Sequence, residues 1–283
     1  NCAIISQSNE ICPADKKIYQ LRDTTGTISS IPLICSSIMS KKISEGINGL
    51  VLDIKIGNGA FIKTLNDGKK LAYWMKKIGN HFNLKIDIVF SSMDQPLGNY
   101  AGLSCEIQES IKALSNKGPE DLMELTYKLG SKILIQAKIA NSFEEAFNLQ
   151  KSVINNGTAL KKFKTMIKIQ GGHLDNFKKS TQAKFEKSIF SNKTGKLNYF
   201  NTEKIGWALV ELGCGYKFKD SILDYSAGIQ FLKKIGDNVK KGDKIYHIFN
   251  SNKKKLKKAC EYLKNTYTIS NEKPSFKLII DEY

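Results

Sequence analysis

Two apolar runs constrain this chain most. NGLVLDIKIG (48–57) and KIDIVFSS (85–92) each have the length of one buried strand, and residues 66–81 between them read as a helix. Strands alternating with helices in this way predict an α/β sheet. The first run is apolar enough to predict a fully buried strand, and it leads into a glycine loop, GNGAF. Upstream, CAIIS (2–6) predicts a short buried strand, and Pro13 opens a helix through KKIYQL. Ser30 and Pro32 start a second helix, with Leu33, Ile34, Ile38, Met39 and Ile43 at mainly helical spacing and Gly46 as its stop.

Residues 98–170 read as mainly helical. Pro119, Glu120 and Asp121 make an acidic first turn, and Ser142 to Glu145 has the pattern of a capping box. QGGH (170–173) interrupts this run, and residues 171–195 read as irregular. In the remaining segment, strands are predicted near 184–190, 195–200, 244–249 and 275–280, with helices over 202–213 and 252–266. The expected class is α/β: a mixed sheet flanked by helices, with part of a small all-α lobe and a C-terminal α+β unit. The expected division is 1–170, with 14–45 contributing to the helical lobe, then a connecting segment at 171–194 and the α+β domain at 195–283.

The formal net charge of +17 raises the prospect of nucleic-acid binding through phosphate contacts. The lysines are spread along the chain, however, with local runs only at 161–164 and 252–258, where a solvated helix face is expected. Of the 44 basic residues, Arg22 is the single arginine, so the side chain best suited to bidentate phosphate and base contacts is otherwise absent. Six scattered cysteines without a CxxC predict reduced, cytoplasmic thiols, and three separated histidines form no metal-ligand spacing. No apolar run approaches the roughly 18 residues of a membrane span, and the first residues lack the basic start of a secretory leader. A soluble protein with no membrane or nucleic-acid partner is expected.

Ser37 and Lys41 stand four residues apart on the second predicted helix and so share a face. Arg22 ends the preceding helix, and a loop containing Gly26 could fold that end back on them. Two readings are open: a polar helix edge with a local ion pair to Asp23, or a site combining a planar donor fork, a hydroxyl and an ammonium. The second suits a planar, carbonyl-rich ligand with one acidic N–H, as on the edge of a pyrimidine base.

Longer motifs bear on that choice. PADKKIYQLRDTTGTISSIPLICSSIMSKKISEG, LDIKIGNGAFIKT, MDQPLGNYAG, GPEDLMEL, QGG and DYSAGIQFLKKIGDNVKKGD closely resemble the pyrimidine-nucleoside phosphorylase and thymidine phosphorylase family, nearly end to end. SSIMSKK and QPLG are more similar to the broader pyrimidine-nucleoside type. The resemblance implies reversible phosphorolysis of thymidine, uridine or deoxyuridine to free base and a pentose 1-phosphate, by a homodimer with inorganic phosphate as co-substrate. It implies that Arg22, Ser37 and Lys41 hold the base, with Asp23 a candidate for orienting Arg22. It also implies a monovalent cation, potassium, at the backbone carbonyls of Leu97 and Tyr100 and the carboxylate of Glu109. In the family the phosphate is held chiefly by a glycine-rich segment upstream of this stretch, so no phosphate-binding residue is expected within the 283 positions. The chain then reads as an N-terminally truncated piece, inactive alone. Gly57 and Gly59 are expected to serve the strand exit. A basic nucleic-acid-binding protein or an inactive remnant is the alternative. A related phosphoribosyltransferase would need a diphosphate-binding loop that the sequence does not offer, and IGDNVKKGD resembles a carrier-domain turn without the lysine such a hairpin tip requires.

Overall fold

The computed structural model describes residues 2–5, 10–174, 177, 181–218 and 221–283, with the Asp23 side chain outside that set. In chain order the described elements are α1 (Pro13–Thr24), α2 (Ile31–Ser44), β1 (Gly49–Ile56), α3 (Leu65–His81), β2 (Lys85–Ser92), β3 (Tyr100–Gly102), α4 (Ser104–Ala113), α5 (Glu120–Gln136), α6 (Phe143–Asn155) and α7 (Thr158–Ile169). They continue with β4 (Phe185–Phe190), β5 (Gly195–Phe200), α8 (Thr202–Leu212), β6 (Gly228–Phe231), β7 (Asn238–Val239), β8 (Lys244–Asn250), α9 (Lys253–Leu263), β9 (Tyr267–Ser270) and β10 (Ile279–Glu282). The chain is mixed α/β, as its alternating pattern predicts. Two compact units form: Asn1–Ser92 with Leu125–Ser152 and Ile279–Tyr283, and Met93–Glu124 with Val153–Leu278.

In the first unit β1 and β2 run parallel, in register from Gly49 opposite Lys85 to Ile56 opposite Ser92. A parallel pair needs a crossover, and α3 provides it. Thr64 caps this helix by accepting from the Asp67 amide at 3.1 Å. Leu71, Ala72, Met75 and Gly79 form its buried stripe. Gly68 completes the stripe because a Cβ there would come within 2.6 Å of Ile56 Cδ1. On the other side of β2, β10 pairs antiparallel, from Ile279 opposite Ser91 to Glu282 opposite Val89. Lys128 and Lys132 of α5 hold Glu282 at 2.5 and 2.8 Å. Cys35 and Met39 of α2 join Ile54, Ile56, Leu71, Met75, Ile88 and Phe90 in the core of this unit.

Two expectations for this unit need correction. Residues 2–5 form no strand, and Ile4 and Ile5 are exposed. Strand β1 is not fully buried: in the order β1-β2-β10 it lies at an edge, and of its residues only Ile54 and Ile56 are buried, whereas β2 is central and buried over most of its length. An apolar run gives hydrophobicity but not position in the sheet, which explains the error.

The second unit contains two antiparallel sheets, β3-β6-β8-β4 and β7-β5-β9. Phe200, Phe231, Tyr246 and Tyr267 pack ring to ring at its centre, with Ile229, Ile245 and Ile248 around them. Leu256, Ala259, Cys260 and Leu263 are the buried stripe of α9. Their spacing of three and four turns the lysines of the 252–258 run onto the opposite, solvated face.

Candidate functional site

Helix α2 has two working faces. Cys35 and Met39, four residues apart, enter the core, while Ser37 and Lys41, also four apart, carry the polar chemistry. The Lys41 ammonium donates to Ser37 Oγ at 2.8 Å, and Ser37 is buried. Lys41 also pairs with Asp15 Oδ2 at 2.7 Å. Asp15 is a buried carboxylate of α1 absent from the expected site. It stands four residues before Tyr19 and seven before Arg22, so the three share one helix stripe. That spacing was the signal that could have found it.

Arg22 is 4% exposed. Its Nη2 donates to the carbonyl of Ile28, in the α1–α2 loop, and the Thr27 amide donates back to the Arg22 carbonyl at 3.0 Å. Gly26, at φ 65°, permits the tight return. The Tyr19 ring centroid lies 5.3 Å from the Arg22 guanidinium carbon and 5.9 Å from the Lys41 ammonium, so one aromatic ring is near both cations. Arg22 Nε is buried and has no hydrogen-bond partner among the described residues. An unmet buried donor costs roughly 1 to 3 kcal/mol, and a ligand oxygen would remove that cost. The expected orienting contact from Asp23 lies outside the described side chains.

A second cluster lies in the other unit, on the loop from Gln95 to Gly102. Glu109 is buried, and its Oε1 accepts from the Asn99 amide at 2.9 Å. Gly98, at φ 68°, passes so close to the Glu109 carboxylate that a Cβ there would collide with Oε2. Burial pushes the Glu109 carboxyl above the usual glutamate range, aided by Asp121 and opposed by the Asn99 and Tyr100 amides and the Lys234 charge. The Lys234 ammonium donates to the carbonyls of Pro96, at 2.6 Å, and Gly98, and pairs with Asp121 at 2.8 Å. Asp121 is therefore more than a helix-start charge. Buried Gln95 accepts from the Ile235 amide at 2.6 Å, a further tie across the same loop. A buried carboxylate thus stands beside a loop whose Pro96 and Gly98 carbonyls turn toward one positive group, the Lys234 ammonium. Lys234 lies 138 positions from Pro96, beyond the reach of any local pattern.

The glycine loop after β1 begins at Gly57, with φ 132°, and folds back through Ala60 N to Gly57 O at 3.0 Å. Beside its origin, Lys55 of β1 bonds Ser91 of β2 at 2.9 Å and Asp53 at 2.6 Å. This polar trio, also absent from the expected site, follows from the register that sets Lys55 opposite Ser91.

Comparison with known proteins supplies the remaining context. Residues 1–160 match the family model "Glycosyl transferase family, a/b domain", and residues 196–270 match "Pyrimidine nucleoside phosphorylase C-terminal domain". The chain is 42% identical over 273 residues to a pyrimidine-nucleoside phosphorylase of Staphylococcus epidermidis, covering 95% of this chain and 63% of that protein. It is also 42% identical over 280 residues to a pyrimidine-nucleoside phosphorylase of Staphylococcus aureus, covering 98% of this chain and 64% of the relative. The chain thus spans somewhat less than two thirds of the length of the curated relatives it matches.

Proposed function

From the premise that this chain belongs to the pyrimidine-nucleoside phosphorylase family, we propose that its first unit carries the base-binding half of an enzyme for phosphorolysis of pyrimidine nucleosides. The observation that carries this reading is the buried Arg22 guanidinium, with Nε lacking an acceptor among the described residues, on the same aromatic ring as the Lys41 ammonium of the Ser37–Lys41 pair. In the reaction the glycosidic bond breaks to leave oxocarbenium character on the sugar and negative charge spread over the carbonyl oxygens of the base. Donors already aimed at those oxygens bind the departing anion better than the neutral nucleoside, and that difference lowers the barrier. Arg22 and Lys41 supply the positive donors. Ser37 reads the base edge at N3–H, and Asp15 keeps the Lys41 ammonium directed.

Uridine, thymidine and deoxyuridine are the proposed substrates, with inorganic phosphate as the second. We further propose a cytoplasmic homodimer that acts on small molecules without a nucleic-acid or membrane partner. A potassium ion held by the Glu109 carboxylate and the carbonyls of Leu97 and Tyr100 belongs to the same reading. The burial of Glu109 against its loop supports it. Asp23 keeps its proposed role of orienting Arg22.

The test pairs calorimetric titration of uracil into this chain with uracil release from uridine in phosphate buffer by the active enzyme. Saturable uracil binding is expected, and Arg22→Lys should keep the charge and fold yet lower kcat/KM by about 2 to 4 kcal/mol, as for other preorganised charge-stabilising donors. If no uracil binds, the reading fails; if binding and turnover are unchanged in the lysine variant, Arg22 is not the base ligand.

A further inference from the structure

Within the second unit a cavity of about 630 Å3 opens between α4, α7 and the turn that follows α7. It shares no residue with the base-binding cluster. Its volume is that of a small-molecule site. Ile111, Ile167, Leu174 and Phe177 give it an apolar lining, with one aromatic ring for a planar body to lie against. Lys112 on α4 and Lys164 and Lys168 on α7 line it, so three lysines border it from two helices. No aspartate or glutamate stands among its described lining residues. The Lys112 ammonium rests 5.3 Å from the Tyr100 ring centroid rather than on a carboxylate.

A recess of about 110 Å3 adjoins this cavity, sharing Gln108 and Lys112. Tyr100, Thr181, Tyr225 and Ser226 line it, so four hydroxyl-bearing side chains and one amide-bearing side chain border a small volume; the Thr181 hydroxyl donates to the Phe177 carbonyl at 2.8 Å and that of Ser226 to Asp224 at 2.7 Å, which leaves their oxygens as acceptors. Gln108 already reaches Thr181 Oγ1 at 3.4 Å, a long contact that a ligand hydroxyl could replace. The three parts ask for different chemistry: a flat apolar body in the chamber, an anion at the lysines and several hydroxyls in the recess.

We propose that this cavity binds a nucleoside monophosphate, with the base over Phe177, the phosphate at Lys164 and Lys168, and the ribose hydroxyls at the Gln108 recess. A dianionic phosphate between cationic side chains forms charge-assisted hydrogen bonds, the stronger kind, and the apolar chamber separates a nucleotide from inorganic phosphate.

The experiment titrates AMP, adenosine and inorganic phosphate separately into the full chain by calorimetry. AMP is used because its purine edge does not match the donors of the base-binding cluster. One saturable AMP site is expected, at least about tenfold tighter than either part alone. Lys164→Glu combined with Lys168→Glu should weaken AMP at least about tenfold, while Ser37→Ala leaves it unchanged. AMP should also shield Lys112, Lys164 and Lys168 of the unmodified chain from acetylation, read by mass spectrometry. This second measurement decides the matter if the double variant folds poorly. Phosphate binding as tightly as AMP, AMP binding undisturbed by the double substitution, AMP binding lost in Ser37→Ala, or lysines acetylated equally with and without AMP would each overturn the proposal.

Discussion

A lysine at position 22 could supply charge, so an arginine in a chain otherwise equipped with lysine answers to geometry. The guanidinium uses one nitrogen to hold the Ile28 carbonyl and keeps another buried, without a partner among the described residues. An ammonium gathers its three donors on one nitrogen and lacks the separated, planar donors that let a guanidinium face two directions. Asp15 acts on the other cation. Its pair with Lys41 is partly sheltered, with the lysine 27% and the aspartate 8% exposed. Asp15→Asn should therefore weaken uracil binding by about 1 to 2 kcal/mol, between the value of an exposed pair and that of a buried one. Calorimetry on a double-mutant cycle with Lys41→Met provides the check, because the two losses should overlap rather than add. Full additivity would mean that Asp15 does not work through Lys41.

At the scale of elements, one helix can serve two neighbours. The faces of α2 follow from its periodicity, and so the four-residue spacing of Ser37 and Lys41 was enough to make them partners. The capping box at Ser142 was legible only in part. Ser142 Oγ accepts from the Glu145 amide at 3.1 Å, but the Glu145 carboxylate returns to the Asn141 amide at 2.7 Å, one residue earlier. The loop between β2 and α4 depends on distant residues. Lys234→Met would leave the Pro96 and Gly98 carbonyls and Asp121 without their shared donor, and should lower stability in urea by about 2 to 3 kcal/mol. Glu109 carries a pH dependence. Its folded pKa is raised, so its favourable contribution is complete below the ordinary glutamate value of about 4.3 and is lost as pH rises through the raised value. Without potassium, Glu109→Gln should consequently be as stable as the parent near pH 4 and more stable at pH 7. Potassium should raise the melting temperature of the parent alone. Thermal melts at both pH values with potassium or lithium chloride test this, and an equal potassium response in the glutamine variant would remove Glu109 from the cation site.

On the scale of the whole molecule, the compact units do not follow the order of the chain: the first includes three separate stretches, the last being residues 279–283. Tyr283 and Ile88 exchange backbone hydrogen bonds at 2.9 and 3.1 Å, and Asp281 and Glu282 bind lysines of α3 and α5. Deleting residues 279–283 should destabilise the first unit by at least about 2 kcal/mol, since it uncovers a central strand and leaves Lys128 and Lys132 unpaired. Trp74 lies in this unit and Trp207 in the other, so urea unfolding followed by Trp74 fluorescence in a Trp207→Phe background isolates the effect. An unchanged midpoint would show that β10 contributes nothing. The sequence alone determined the helix faces, the alternation of strand and helix, the solvated lysines of α9 and the pairing of Ser37 with Lys41, because each depends on residues within a turn or two of one another. Only the tertiary structure decided which strand lies at the edge, that Asp15 meets Lys41, that Lys234 returns to the loop at Pro96, and that the last strand joins the first sheet. These features depend on how distant surfaces exclude water together and satisfy each other's hydrogen bonds, and no local spacing records that.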